Sequence, residues 1–134
     1  AVPVLLETIQ ADMLARARAH RDAHLRVVEH WEDFVPTLDE RCLALAPWCQ
    51  RTACEEEVKN KSGAEAKASE ASAKAAGGAG GEAKEEDAEE AAKKLSGSAK
   101  TLCLPFEQDE MPEGTPCFSC GQAATAWCLW GRSY

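Results

Sequence analysis

The sequence predicts an α/β (α+β) fold: a two-layer domain in which helices pack on a small mixed β-sheet. Three observations predict it. Apolar residues near the N-terminus recur at helical spacing, and three short apolar runs further along, at 42–46, 101–104 and 124–130, are typical of buried strands. Four of the seven cysteines form two pairs beside these runs. Helices and strands that alternate in this way favour helices on one side of a sheet.

Length and charge limit the function classes. The chain has 134 residues, enough for one domain with one modest core, and it carries a net charge of −8. The charge argues against a nucleic-acid binder. No apolar run approaches the roughly 18 residues that cross a bilayer, and no secretory signal is present. The chain begins at Ala1 within an apolar pattern. We therefore expect a cytoplasmic protein without a membrane partner, of which this chain is a fragment.

Residues 5–30 are predicted to form the first helix. Its apolar residues share one face: Leu6, Ile9, Met13 and Ala17. It also carries a cluster of basic and imidazole side chains: Arg16, Arg18, His20, Arg21, His24 and Arg26. We expect a solvated face here; the alternative is a face turned toward RNA or toward an acidic neighbouring domain. His20, His24 and His30 lie far from the cysteines in sequence and are predicted to be surface or boundary residues.

The remaining elements follow in order. A second helix is predicted over Trp31–Leu38, disturbed by Pro36, with core residues on one side: Trp31, Phe34 and Leu38. The run 42–46, ended by Pro47, predicts a strand, and a short helix from Glu55 to about Asn60 comes next. Runs 101–104, ended by Pro105, and 124–130 predict two further strands.

Residues 62–94 differ from the rest of the chain. They contain only Ala, Gly, Ser, Lys, Glu and one Asp, and the glycine-rich centre at 77–81 opposes a continuous helix. Without aromatic or branched aliphatic residues, the segment cannot bury enough apolar area to offset its ordering entropy. We predict a flexible low-complexity surface insertion, with transient helix on either side.

Two cysteine pairs predict a metal site. Cys49 and Cys54 have four residues between them, and Cys117 and Cys120 have two, followed directly by Gly121. A C-x-x-C turn brings both sulfurs to one point, and a glycine beyond it tolerates a positive φ. Four thiolates suit a tetrahedral zinc ion and leave no position open for a catalytic water. The sequence therefore predicts structural zinc on Cys49, Cys54, Cys117 and Cys120.

Two alternatives to zinc stay open: a metal-free cluster, and redox or disulfide chemistry. An odd number of cysteines fits a closed disulfide framework poorly, and no thioredoxin-like βαβ unit surrounds the C-x-x-C. Cys42, Cys103 and Cys128 lie in apolar runs and are predicted to be small core residues. The sequence has no nucleophile elbow, phosphate loop or zinc-protease helix, so we predict no catalytic and no cofactor-binding residue.

Several strings along the chain resemble the C-terminal zinc-binding domain of prolyl-tRNA synthetases of the eukaryotic and archaeal-like type. The resemblance covers nearly the whole chain except 62–94. The terminal Gly-Arg-Ser-Tyr is its most specific string. The matching strings are Trp31-Glu32-Asp33-Phe34, Leu38-Asp39, Ala46-Pro47-Trp48-Cys49, Cys54-Glu55, Ala99-Lys100-Thr101-Leu102-Cys103-Leu104-Pro105-Phe106, Cys120-Gly121 and Gly131-Arg132-Ser133-Tyr134.

The resemblance implies a parent enzyme, a class II aminoacyl-tRNA synthetase. Such a parent joins proline to tRNA(Pro) through a prolyl-adenylate made from ATP with Mg²⁺, and it acts as a homodimer. Residues 1–134 would be its C-terminal domain, which follows the anticodon-binding domain and packs toward the catalytic domain. The resemblance assigns the four zinc cysteines to Cys49, Cys54, Cys117 and Cys120, and it places Tyr134 toward the catalytic domain.

The sequence departs from the family at two places. Family members can have one residue between the last two cysteines, where this chain has two. The segment 62–94 is also longer than the usual connection. The alternative function is a stand-alone zinc-ribbon-like RNA-binding or adaptor module that uses the basic cluster of residues 16–26.

Overall fold

The computed structural model describes residues 1–76 and 97–132. Within them the chain forms helices and strands in this order: α1 (Val2–Ala23), β1 (Leu25–Val27), α2 (Trp31–Asp39), β2 (Leu43–Trp48), α3 (Thr52–Ala76), β3 (Ala99–Cys103) and β4 (Ala126–Arg132). Helices pack on a small mixed sheet, which confirms the predicted fold class. No helix in these two ranges is long and apolar enough to span a membrane.

The strands form one sheet in the order β1-β2-β4-β3. β1 runs parallel to β2, whereas β2 and β3 both pair antiparallel with β4, so the sheet is mixed. The register places Leu45 opposite Leu129 and Thr101 opposite Trp130. The central pair β2–β4 therefore carries the metal-site cysteines at one end, because Cys49 directly follows β2 and the loop before β4 contains the other pair.

An aromatic cluster fills the space between α2 and the sheet. Phe34 and Trp130 are fully buried, and their rings meet edge to face with centroids 5.9 Å apart. Phe118 lies between them, 4.7 Å from Phe34 and 5.4 Å from Trp130. Leu38 is also buried, and Trp31 packs at the edge of the cluster. The predicted core side of α2 is thus confirmed.

The first helix is shorter than predicted. It ends at Ala23, and residues 25–27 form β1, so the prediction of one helix over 5–30 is wrong at its C-terminal end. The cause is long-range pairing: Leu43 N donates to His24 O at 2.7 Å, and Val28 N donates to Leu45 O at 2.9 Å. A three-residue strand held by a distant partner leaves little local signal.

The third helix is longer than predicted. It runs over Thr52–Ala76, so its predicted end near Asn60 is wrong. Alanine, glutamate and lysine all favour helix, and small side chains let α3 approach β3. Ser62 is fully buried and Ala66 nearly so. The segment 62–94 therefore begins within α3, whereas residues 77–94 lie outside the described part of the chain.

Pro47 does not end the second strand, as the sequence suggested, but lies inside it opposite Trp127. Its missing N–H causes no loss because parallel β1 pairs only as far as Leu45 on that side. The Pro47 carbonyl accepts a hydrogen bond from Phe118 N at 3.0 Å. This bond fixes the loop that carries Cys117 and Cys120 to β2, the strand that Cys49 follows.

Candidate metal centre

Three elements bring the four cysteines of the two pairs together. Cys49 leaves the end of β2, Cys54 lies in the first turn of α3, and Cys117 and Cys120 lie on the loop before β4. Their sulfur atoms all lie within 4.8 Å of one another. Cys49, Cys54 and Cys117 are buried, and Cys120 is half-buried. This arrangement could hold a metal ion.

The distances between the sulfur atoms exclude disulfide bonds and match those of a tetrahedral zinc site. Cys49 Sγ lies 3.6 Å from Cys120 Sγ, and Cys54 Sγ lies 3.8 Å from Cys117 Sγ. Both are far longer than the roughly 2.05 Å of a disulfide bond. Bonds of about 2.3 Å from a central zinc ion in tetrahedral geometry would place sulfurs about 3.8 Å apart. The donor set and its spacing fit such an ion.

Burial and neighbouring groups shift the thiol pKa values in opposite directions. Burial raises the pKa of Cys49, against the opposing effect of the Arg51 backbone N–H, and burial and the nearby Cys117 raise that of Cys54. At Cys120 burial also acts to raise the pKa, but hydrogen bonds from the Gln122 backbone N–H and from the neighbouring thiols outweigh it, so the pKa is lowered. Cys120 thus has more thiolate character than Cys49 or Cys54.

The tight turn at the second pair has the predicted backbone form. Gly121 has a φ of +69°, and its N–H donates to the carbonyl of Cys117 at 3.1 Å. Cys117 N donates to Gln122 O at 2.6 Å, which closes the turn. Since a side chain at Gly121 would strain this φ, the glycine allows the turn that presents both sulfurs to one point.

The three cysteines outside the site take different positions. Cys42, just before β2, and Cys128, within β4, are buried as predicted. Burial raises the pKa of Cys128 to about 12. Cys103 is exposed, so its assignment to the core is wrong. It ends the edge strand β3 after a register shift between Thr101 and Cys103, which changes the side that the strand's last residues face.

The basic cluster of residues 16–26, which extends from α1 into β1, is largely neutralised. Arg16 pairs with Asp12 at 3.2 Å, Arg21 with Asp22 at 2.7 Å, and Arg26 with Glu40. These ion pairs reduce the positive charge that the cluster offers to phosphate groups. His20 is exposed and stacks on the half-buried His24 with ring centroids 4.3 Å apart. His30 is also exposed but precedes α2, instead of lying on the first helix.

The sequence reading missed contacts that support the site. Phe118, between the two cysteines of the second pair, is a core residue that anchors the loop in the aromatic cluster. Glu55, next to Cys54, accepts a hydrogen bond from Thr101 Oγ1 and so links α3 to β3. The sequence signal for the role of Phe118 was an aromatic residue between the two cysteines of a C-x-x-C motif. Tyr134, which the resemblance places toward a catalytic domain, lies outside the described residues.

Comparison with known proteins gives the family. Residues 31–134 match the family described as "Prolyl-tRNA synthetase, C-terminal". The cytoplasmic proline–tRNA ligase of Arabidopsis thaliana is 39% identical over 133 residues, which cover 99% of this chain and 19% of that protein. A putative proline–tRNA ligase of Saccharomyces cerevisiae is 38% identical over 133 residues, covering 99% of this chain and 17% of that protein.

A solved structure agrees with these relatives. The prolyl-tRNA synthetase of Cryptosporidium parvum, in complex with halofuginone and AMPPNP, superposes with a TM-score of 0.69 at 28% identity. The match covers 99% of this chain and 21% of that one. The chain spans about a fifth of the length of the relatives named here. By the family match and these similarities, the chain belongs to the prolyl-tRNA synthetase C-terminal family.

Proposed function

We propose that Cys49, Cys54, Cys117 and Cys120 bind one structural zinc ion. The observation that carries this proposal is the cluster of four sulfurs within 4.8 Å. Thiolates are soft ligands, and zinc takes four of them in a tetrahedron without preference among directions. The pairs at 3.6 and 3.8 Å fit the edges of that tetrahedron. A site closed by four cysteines provides no free position for substrate, so the role is structural.

The metal would join parts of the fold that lie far apart in sequence. The segment between Cys49 and Cys54 starts α3, and the loop with Cys117 and Cys120 reaches it from 63 to 71 residues away in sequence. Hydrogen bonds to backbone N–H groups of Arg51 and Gln122 would stabilise the bound thiolates. Binding that requires these distant residues in place is coupled to folding.

We further propose that residues 1–134 form the C-terminal domain of a proline–tRNA ligase, with 62–94 as a low-complexity insertion within it. The whole enzyme would attach proline to tRNA(Pro) with ATP and Mg²⁺, through a prolyl-adenylate. It would act as a cytoplasmic homodimer. The catalytic and anticodon-binding domains would be this domain's partners in the same chain. The family match over 31–134 supports this proposal.

Aminoacylation by the full-length enzyme tests the ligase proposal. We expect the full-length protein to charge tRNA(Pro) with proline and not with alanine, and we expect residues 1–134 alone to charge neither. A full-length protein that binds zinc but forms no prolyl-tRNA would contradict the ligase proposal while leaving the zinc proposal intact. Activity of residues 1–134 alone would contradict the structural role of this domain.

A further inference from the structure

Among the residues that the structure describes, two that are not glycine have a positive φ: Arg41 at +60° and Gln50 at +57°. Such a backbone is strained for a residue with a Cβ atom. Arg41 has it because α2 ends there in a Schellman motif: Arg41 N donates to Leu38 O at 3.1 Å, and Cys42 N to Thr37 O at 3.2 Å. Gln50 lies two residues before α3 begins, so the end of a helix does not explain its strain.

Gln50 separates Cys49 from the backbone N–H that the Cys49 sulfur accepts. That N–H belongs to Arg51, two residues after the cysteine. Tight turns require a residue with positive φ at an inner position, and here such a residue turns the next N–H back toward the cysteine side chain. The strained backbone of Gln50 therefore coincides with a hydrogen bond to a thiol of the metal centre.

The turn after Cys120 has the same form. Gly121 follows that cysteine with a φ of +69°, and the N–H of Gln122 hydrogen-bonds to the Cys120 sulfur. In both turns a left-handed residue directly follows the cysteine, and the next residue supplies the N–H. Gly121 adopts this backbone without strain because it has no Cβ atom, a freedom that Gln50 lacks.

A side-chain contact holds the backbone at Gln50. Gln50 Nε2 donates to Thr125 Oγ1 at 2.8 Å, across 75 positions of sequence. Thr125 is itself fixed to the end of β2, because its backbone N donates to Trp48 O at 2.9 Å. Gln50 is exposed, so burial of apolar surface does not account for its conformation. The contact with Thr125 is therefore the interaction that offsets the strain.

Resting on the proposed zinc site, we propose that Gln50 is a positioning residue for Cys49. Its left-handed backbone, held by Thr125, directs the Arg51 N–H at the Cys49 sulfur. This hydrogen bond stabilises the negative charge of the thiolate that a metal ion requires as a ligand. The side chain of Gln50 thus achieves for the first cysteine pair what the missing side chain of Gly121 achieves for the second.

NMR of the chain loaded with a spin-active cadmium isotope tests the turn directly, because scalar coupling passes from the metal through an N–H···S hydrogen bond to the amide proton. In the wild type we expect coupling at Arg51 and at Gln122. Gln50→Ala keeps the strain and loses the contact with Thr125, so we expect it to lose the Arg51 coupling and keep that of Gln122. Gln50→Gly loses the same contact but removes the strain, and should keep both couplings.

Release of zinc to a chromophoric chelator gives a second readout. We expect release about fivefold faster from Gln50→Ala than from the wild type, as the loss of one hydrogen bond predicts. Thr125→Val removes the contact from its other end and should have the same effect. Arg41→Ala is the matched control, because Arg41 has the same backbone but lies at the opposite end of β2. Its release rate should stay within about twofold of the wild type.

Three results would overturn the proposal. The first is coupling at Arg51 that survives in Gln50→Ala, and the second is equal zinc release from Gln50→Ala and Arg41→Ala. The third is a wild-type chain that binds cadmium without coupling at Arg51, which would leave the zinc proposal intact. A chain that binds neither metal would overturn both proposals. Neither readout requires catalysis, so failure of aminoacylation is a separate result.

Discussion

Ala99 N donates a hydrogen bond to Ser62 Oγ at 2.8 Å, across 37 positions of sequence. Both residues are buried, and the bond joins the middle of α3 to the first residue of β3. Ser62 Oγ also donates to Lys59 O at 3.2 Å. A serine in a stretch of low complexity thus satisfies a buried backbone N–H at the point where the chain re-enters the sheet.

Ser62→Ala should destabilise the fold. The change leaves the buried N–H of Ala99 without a partner, which costs about 1–3 kcal/mol of unfolding free energy. Urea denaturation measures it. Ser69→Ala is the matched control, because Ser69 is exposed and its hydroxyl donates to Ala66 O within the same helix, so we expect a change below about 0.5 kcal/mol. Equal losses for the two variants would argue against the Ser62 contact.

Asp39→Asn should cost more than Glu40→Gln. Asp39 pairs at 2.5 Å with Arg132, whose side chain is only 14% exposed, whereas Glu40 pairs with Arg26, which is 49% exposed. Removing the Asp39 charge leaves a mostly buried guanidinium unpaired, and we expect a loss of about 2 kcal/mol. The exposed pair contributes less than about 1 kcal/mol. Thermal unfolding that ranks the two variants the other way would contradict this assignment.

Cys120→Ser should lower the melting temperature by on the order of 10 °C or more, because loss of one ligand removes zinc binding that is coupled to folding. Cys103→Ser is the control, since Cys103 is exposed and outside the site. Its melting temperature should change by less than about 2 °C. Calorimetry of the wild type and the two variants, each purified in the presence of zinc, makes the comparison, and an unchanged melting curve for Cys120→Ser would count against a structural site.

Gly121→Ala should weaken the hold on zinc, whereas Gly114→Ala should not. Both glycines have a positive φ, +69° and +84°, with open space around an added methyl group, so the backbone strain of about 1 kcal/mol is similar. Only Gly121 shapes the turn that directs the Gln122 N–H to Cys120. Competition with a chromophoric chelator should therefore release zinc faster from Gly121→Ala. The same release rate from both would refute a role for this turn.

Local pattern was enough for much of this fold. The apolar spacing of Trp31, Phe34 and Leu38 predicted α2 and its core side, and the apolar runs predicted β2, β3 and β4. Spacing alone also selected the four cysteines that the fold brings together. These features depend on residues that are close in sequence, so the spacing of residue types is enough to predict them.

What the sequence did not show depends on distant partners. β1 has only three residues and exists because Leu25 pairs with Leu43. The burial of Ser62 follows from its contact with Ala99, whereas composition alone had assigned that position to a flexible surface insertion. Cys103 is exposed because β3 is an edge strand with a register shift. In each case tertiary contacts override the local propensity of the sequence.

The zinc content of the freshly purified chain, measured by elemental mass spectrometry, tests most directly the central claim that the four cysteines bind one zinc ion. The account predicts one zinc ion per wild-type chain, the same content in Cys103→Ser, and loss of the metal in Cys54→Ser, whose sulfur lies 3.8 Å from that of Cys117. A wild-type chain that carries well under one equivalent of zinc, and takes up none when refolded with zinc, would contradict the account.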